Sequence, residues 1–400
     1  MVSPAHRDSI AAAVNADNGL AGIHWIFPEV AFWPLRQGIE PKWERTYNLL
    51  WQQQALRAAK DLQRRVGFDL IHHLTWGGLR APTFLGSLGV PLIVGPMGGG
   101  ETSPRSLRDR LPTRGRVLEL LRDLSNATIE INPIVRPGLR HAAVIFVKTA
   151  DTRDALSQRL RRKTAVMMEL VVHAEQLGAV HPRRQSHPRL LYAGRLLYWK
   201  GVHIAIETMA ALVKQMPDAV LTIVGSGTEE ARLKAEVQRK GLTANIKFVS
   251  WIPQTELLQL YDSHDFLLFP SLHDSTGGVV LEALCRGLPV ACLDLGGPKD
   301  IVTPQSGIVA GTAGLNTAQV ATRLADRLHE VFNAPDRLAE LSAGAIARAH
   351  DFLLPDQITR LYETAWQMIE HGARNTTSLK DKSKDKSPGA ATGQAALREH

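Results

Sequence analysis

Four hundred residues, 44% of them apolar, suffice for two or three domains with substantial cores. The formal charge of +8 and the pI near 9.6 suit an acidic ligand or an anionic membrane surface; no zinc-finger spacing, RNP motif or arginine-rich stripe points to nucleic acid, which is not expected as a partner. No apolar run approaches the ~20 residues that span a bilayer and the N-terminus lacks a signal-peptide core, so a cytoplasmic protein is expected, its charge being compatible with peripheral docking on the inner membrane face.

The chain opens on Ser3-Pro4, an N-cap followed by proline at the first helical position, which predicts a helix at the start. Strands are then expected at 22–27, 69–74, 91–95, 143–148 and 165–171, with helices at 43–65 and 105–125. Short β-branched runs alternating with helical segments are the pattern of an α/β protein with parallel sheets. His72 and His73 share a strand and point to opposite faces, so at most one faces a cleft, and a satisfied core histidine is the default for either. The run Gly95-Pro96-Met97-Gly98-Gly99-Gly100-Glu101 follows a strand, where glycines let a ligand or another backbone approach closely. His72, Gly98, Gly99, Gly100 and Glu101 are therefore cleft candidates. Arg105, Arg108, Arg110, Arg114 and Arg116 lie along one helical region, facing either anionic lipid headgroups or plain solvent.

The polar, proline-bounded stretch 181–188 reads as a linker between a first domain at 1–180 and a second at 188–345. Beyond it strands are expected at 189–193, 219–224, 246–250, 266–269, 290–293 and 307–309, with helices following Gly201, Thr228, Gln254, Gly278, Pro298 and Thr317. Cys285 and Cys292 have neither redox nor zinc spacing and read as buried free thiols. A last amphipathic helix is expected over 355–371, and the composition of 372–400 reads as a disordered tail.

Three stretches of the second half carry chemistry. Gly194-Arg195 and Lys200-Gly201 follow a strand and enter a helix; cations at a helix N-terminus oppose its dipole unless an anion bridges them, as a diphosphate would. Gly225-Ser226-Gly227 is a strand–turn–helix junction, equally a plain turn or a phosphate loop. Asp274-Ser275-Thr276-Gly277-Gly278 leads from an apolar strand into a helix carrying Glu282, so two carboxylates eight positions apart bracket a turn with free amides. Glu282 in an apolar helix is either a structural ion pair or a ligand for ribose hydroxyls.

From about 189 to 309 these motifs, with Gly287-Leu288-Pro289-Val290 and Gly296-Gly297-Pro298, resemble the donor-binding half of retaining glycosyltransferase family 4. The first half is similar to some bacterial members at Asp69-Leu70-Ile71-His72 and the glycine run. The resemblance implies a GT-B fold, two doubly wound Rossmann-like domains facing a cleft, with the 355–371 helix crossing back to the first. It implies transfer of a sugar, with retention, from a nucleotide-diphosphate sugar to a glycan, glycolipid or similar saccharide or lipid-linked acceptor, without cofactor or metal. Arg195 and Lys200 would hold the diphosphate, Glu282 the ribose, and Asp274 would lie by the transferred sugar. Gly225, Ser226, Thr276, Gly277 and Gly278 would complete the donor site, and His72, Gly98, Gly99, Gly100 and Glu101 the acceptor side. Asp274 replaces the family's usual Glu, Thr276 its frequent aromatic, and Met97 aligns where many members carry histidine. The family's opening strand and its glycine loop have no counterpart, which implies a first domain shortened by a mis-set start codon or a truncated gene. A catalytically inactive nucleotide-sugar-binding subunit and a GT-B epimerase are the alternative expectations.

Overall fold

A computed structural model describes residues 1–20, 22–31, 43–74, 77–178 and 187–384. As Ser3-Pro4 predicts, the chain starts helically, with a 3-10 turn over Pro4–His6 running into α1 (Arg7–Ala16). The segment 22–27 is not the expected strand. Among the described residues it has no ladder to join, and a backbone bond from Val2 N–H to Ile26 O (3.0 Å) ties it down instead.

The first domain is built from α2 (Glu44–Arg65), β1 (Ile71–His73), β2 (Leu92–Met97), α3 (Thr113–Ala127), α4 (Arg136–His141), β3 (Val144–Val147), α5 (Ala150–Asp154), α6 (Gln158–Arg161) and β4 (Thr164–Val166). Its strands are parallel in the order β1-β2-β3-β4. β2 and β3 are buried throughout, which is why they read as unbroken apolar runs rather than alternating ones. The helix expected over 105–125 is two pieces, a 3-10 turn at Arg105–Arg108 and α3, because Pro112 cannot donate within a helix and sits at the N-cap of the second.

The second domain runs through β5 (Arg189–Ala193), α7 (Val202–Leu212), β6 (Val220–Val224), α8 (Glu230–Arg239), β7 (Ile246–Val249), α9 (Gln254–Ser263), β8 (Phe266–Phe269), α10 (Gly278–Cys285), β9 (Val290–Leu293), α11 (Gly296–Ile301), β10 (Gly307–Ala310), α12 (Thr317–Phe332) and α13 (Pro335–His350). Its strands are parallel in the order β10-β9-β8-β5-β6-β7. All six were legible from sequence; α13 was not, although proline at its first turn is a start signal. Cys285 and Cys292 are free and buried, and burial raises the Cys285 thiol to about 11.

A final helix, α14 (Leu354–Lys384), crosses back to the first domain. Its start is fastened by Val172 N–H to Phe352 O (2.8 Å) and Leu354 N–H to Val172 O (3.1 Å), and Ala365 packs against Ile93, Val144, Phe146 and Met167. The rest of the expected tail, 385–400, and most of the expected linker lie outside the described residues.

Strand order places the site. β5 pairs with β6 on one side and β8 on the other, so the connections leave it in opposite directions. In an open parallel sheet the crevice beyond the carboxyl ends of two such strands is where ligands bind. Gly194 through Gly201 follow β5, and Pro270 through Glu282 follow β8.

Candidate active site

Two glycines in the left-handed region open helices side by side at this point: Gly201 (φ 72°) precedes α7 and Gly277 (φ 68°) precedes α10. At Gly201 the reason is contact as well as torsion, since a Cβ there would lie 1.8 Å from Pro270 O. Leu272 N–H donates to Trp199 O (2.8 Å), clamping the two turns together. The clamp brings Lys200 to Asp274, and the two form an ion pair, with the ammonium also 5.5 Å from the Phe269 ring centroid. The anion beside Lys200 is thus the protein's own carboxylate, which answers the dipole conflict posed by the sequence.

Behind Asp274, the glycines of α11 make room for the loop. A Cβ on Gly296 would meet Asp274 O at 2.4 Å, one on Gly297 would meet Ser275 O at 2.6 Å, and Gly297 N–H donates to Asp274 O (2.6 Å). The backbone N–H groups of Thr276, Gly277 and Gly278 donate to no acceptor among the described residues. Arg195 is exposed, and its guanidinium has no hydrogen-bond or ionic partner among them either. Glu282 accepts from Tyr261 O–H (3.0 Å); burial first, and then the Glu282 charge, push the Tyr261 phenol up. Unused amides, an unpartnered guanidinium, a shared ammonium and a carboxylate thus all follow the carboxyl ends of the two strands at the switch point, β5 and β8.

Gly225, Ser226 and Gly227 take a structural part. A Cβ on Gly225 would lie 2.1 Å from Gly194 O and one on Gly227 2.3 Å from Leu196 O, while Leu196 N–H donates to Ser226 O (2.9 Å). Their glycines are required because this turn lies backbone to backbone on the one bearing Arg195.

From the first domain, the glycine run meets the donor loop directly: a Cβ on Gly98 would lie 2.6 Å from the Ser275 Cβ. Gly99 has φ 106°, and a Cβ on Gly100 would meet Thr152 Cα at 2.7 Å. Glu101 is buried and binds across the cleft. One of its oxygens accepts from Thr149 and Thr152 (both 2.7 Å), the other from Ser275 Oγ (2.8 Å) and Gly99 N–H (2.9 Å). Burial works to raise its pKa, but the hydroxyls of Thr149, Thr152 and Ser275 outweigh it and hold the carboxyl below its ordinary value. His72 does not join this group: its Nε2 lies 2.9 Å from Gly95 O and its Nδ1 3.2 Å from Tyr362 Oη of α14. His73 faces the other way, toward Gln52 of α2 (3.2 Å). Met97 ends β2 inside the core.

Sequence reasoning missed four cleft residues. Lys148, directly after β3, pairs with Glu169, which also accepts from Thr276 Oγ1 (3.3 Å). Glu119 of α3 is buried and accepts from Tyr198 O–H (3.1 Å), and its Oε1 lies 2.8 Å from Nε2 of His273, whose ring stacks on Trp199. Burial would raise Glu119, yet the His273 hydrogen bond and charge, with Tyr198, lower it to about 2. The signal available for Lys148 was its place at the carboxyl end of a strand; Glu119 and His273 had none, being 154 positions apart.

The fold is the GT-B architecture, and the chain's sequence similarity to named glycosyltransferases makes it a glycosyltransferase. Residues 174–348 match the family described as "Glycosyl transferases group 1". Among curated proteins the chain is similar to 2-deoxystreptamine glucosyltransferase of Streptomyces kanamyceticus, 29% identical over 76% of this chain and 79% of the relative. Among solved structures it resembles sucrose-phosphate synthase from Thermosynechococcus elongatus, with a TM-score of 0.57, 19% identity, and coverage of 84% of this chain and 81% of that one. It also resembles Anabaena HepE in complex with UDP, with a TM-score of 0.51, 17% identity and 82% of each chain covered. These structural likenesses establish the fold. Among the described residues, no helix is long and apolar enough to cross a membrane.

Proposed function

We propose that the chain transfers a glycosyl residue, with retention, from a nucleotide-diphosphate sugar to a saccharide or lipid-linked acceptor, as family 4 enzymes do. The observation that carries this reading is the pairing of Lys200 with Asp274 beside the unused amides of Thr276–Gly278 and the free Arg195, at the switch point of the second sheet. The diphosphate displaces Asp274 as the partner of Lys200, with Arg195 forking onto its oxygens, while the released Asp274 turns to the sugar. Glu282, already hydrogen-bonded by Tyr261, receives the ribose hydroxyls. In the reaction the bond from the anomeric carbon to the diphosphate oxygen breaks. The acceptor hydroxyl oxygen bonds to the same face of that carbon, and its proton passes to the departing phosphate. Lys200 and Arg195 offset the charge that develops, so the proposal requires no metal and no further cofactor.

HepE, whose complex holds UDP, and the glucosyltransferase of Streptomyces kanamyceticus support a nucleotide-sugar donor and a sugar-like acceptor. An anionic membrane surface as partner, on the cytoplasmic face, belongs to the same proposal. A thermal-shift series with UDP, GDP, ADP and their sugars tests it, because ligand at about 100 times its Kd adds ~2.7 kcal/mol. Stabilisation by one nucleotide, lost in Lys200→Ala and unaffected by EDTA, is expected, followed by NMR of the product anomer. Interconversion of free nucleotide sugars, or binding without transfer to any acceptor, would overturn the transferase reading.

A further inference from the structure

Helix α3 is turned inside out. At ~100° per residue, Val117, Leu120, Leu121 and Leu124 fall on one face, and that face is outward, with exposures from 53 to 63%. The inward face carries Gly115, Glu119, Arg122 and Asn126. Each inward polar group is engaged: Glu119 with His273 and Tyr198, Arg122 Nε with Glu101 O (2.8 Å), Asn126 Nδ2 with Gly100 O (3.0 Å). The helix cannot roll its leucines under without breaking bonds that also order the cleft loop 98–101. The apolar strip continues past the helix through Ile131, 72% exposed, and Ile134. An apolar face this long and held outward is a contact surface.

Its charge identifies the contact. Arg114 is exposed at the start of α3, near one end of the strip, without a side-chain partner among the described residues. At the other end Ile131 borders a hollow of about 260 Å³ lined by Arg136, Arg140 and Arg159. The acid lining that hollow, Glu130, is taken by the Ser157 N–H. Of the arginines of 105–116, read as facing lipid or solvent, Arg108 is turned in to Asp123 (2.8 Å), while Arg116 stays exposed with its Nε on Leu111 O (3.0 Å). A second copy of the chain would bring arginines against arginines in a molecule that already carries +8.

We infer that the apolar strip running from Val117 on the outward face of α3 to Ile134 beyond it docks on an anionic lipid surface, with lipid phosphates in the arginine-lined hollow beside Ile131. An apolar strip flanked by arginines is the build of a helix that lies in the membrane interface. Docking there sets the Glu101 loop about one helix diameter, ~10 Å, from the headgroups, where a lipid-linked acceptor can reach it. This deepens the membrane side of the proposed function and stands apart from the donor reading, since it is measured without nucleotide.

The test is co-sedimentation of the full chain with phosphatidylcholine vesicles with and without phosphatidylglycerol, alongside light scattering in the absence of lipid. Binding to the phosphatidylglycerol vesicles alone is expected, weakened by salt. The double variant Leu120→Gln, Leu124→Gln should weaken it about tenfold. Arg136→Gln with Arg140→Gln should weaken it about 25-fold, at roughly fivefold per basic residue. Both variants should keep their melting temperature and nucleotide-induced shift. No binding to anionic vesicles, or equal binding by wild type and both variants, overturns the inference. So does a lipid-free dimer that the leucine variant splits and that ignores vesicles, which would make the face a protein interface.

Discussion

The two walls of the cleft differ in the chemistry they present. The second domain offers donors: Lys200, Lys299, the amides around Gly277 and Gly296, and the hydroxyls of Ser275, Tyr198 and Thr317. The first offers acceptors: Glu101 to Ser275, Glu119 to Tyr198, Asp151 to Gly296 N–H (2.9 Å) and Lys299 (2.5 Å), and Asp109 to Thr317 (2.5 Å). A donor wall suits an anionic ligand, and the carboxylates opposite occupy part of it in this structure. Ligand affinity and domain contact therefore draw on neighbouring groups, a coupling that each substitution below pulls from one side.

The largest expected effect is at the donor wall itself. Lys200→Ala removes a preorganised contact to developing charge, a loss of about 2.7–4 kcal/mol, so turnover should fall two to three orders of magnitude. A change under fivefold in kcat would remove Lys200 from the chemistry. Next comes Gly201→Ala. Gly201 and Gly89 are both left-handed, with φ 72° and 78°, but a Cβ meets Pro270 O at 1.8 Å in the first and nothing within 4 Å in the second. Gly89→Ala should cost about 1–2 kcal/mol from torsion alone. Gly201→Ala should cost clearly more in denaturant unfolding, and equal losses would mean the close approach to Pro270 O does not constrain the Lys200 turn.

At the acceptor wall, Glu119→Gln should lower stability by about 1–3 kcal/mol, the cost of poorly satisfied buried partners. Its pH signature fixes the sign. Glu119 titrates at about 2 rather than its ordinary 4.5, so its stabilisation is whole above 4.5 and is lost as pH falls toward 2. Denaturant unfolding across that window should show a shallower acid slope in Glu119→Gln. An unchanged slope would mean Glu119 carries no more stabilisation ionised than protonated.

The same contrast explains what could be read from sequence. The second domain was legible because β5 and β8 are buried almost throughout, so their apolar runs are nearly unbroken, and because Gly201 and Gly277 mark the turns that follow them at the switch point. In the first domain, 22–27 has the residues of a strand but no ladder, and a ladder is a long-range property. The arginines of 105–116 looked alike, yet their neighbours divide them: Arg108 is half-buried against Asp123, and Arg114 is exposed with no side-chain partner among the described residues. The inversion of α3 was illegible for the same reason, since an apolar stripe does not say which side faces in until His273 and Tyr198 claim Glu119.

The smallest effect is the most direct probe of the coupling. Ser275→Ala removes one of the bonds to Glu101 and leaves those from Thr149, Thr152 and Gly99 N–H, so the buried carboxylate stays satisfied. The loss should be that of a single hydrogen bond, about 1 kcal/mol, in contrast to the larger cost of stripping a buried acid of its partners. That bond joins the walls. If nucleotide binding requires them to part, as the shared use of the loop at 274–278 implies, the same 1 kcal/mol reappears as affinity: nucleotide Kd, measured by calorimetry, should tighten by up to about fivefold. Weaker binding would mean that the Ser275 hydroxyl serves the ligand rather than the contact, and that the two walls act independently.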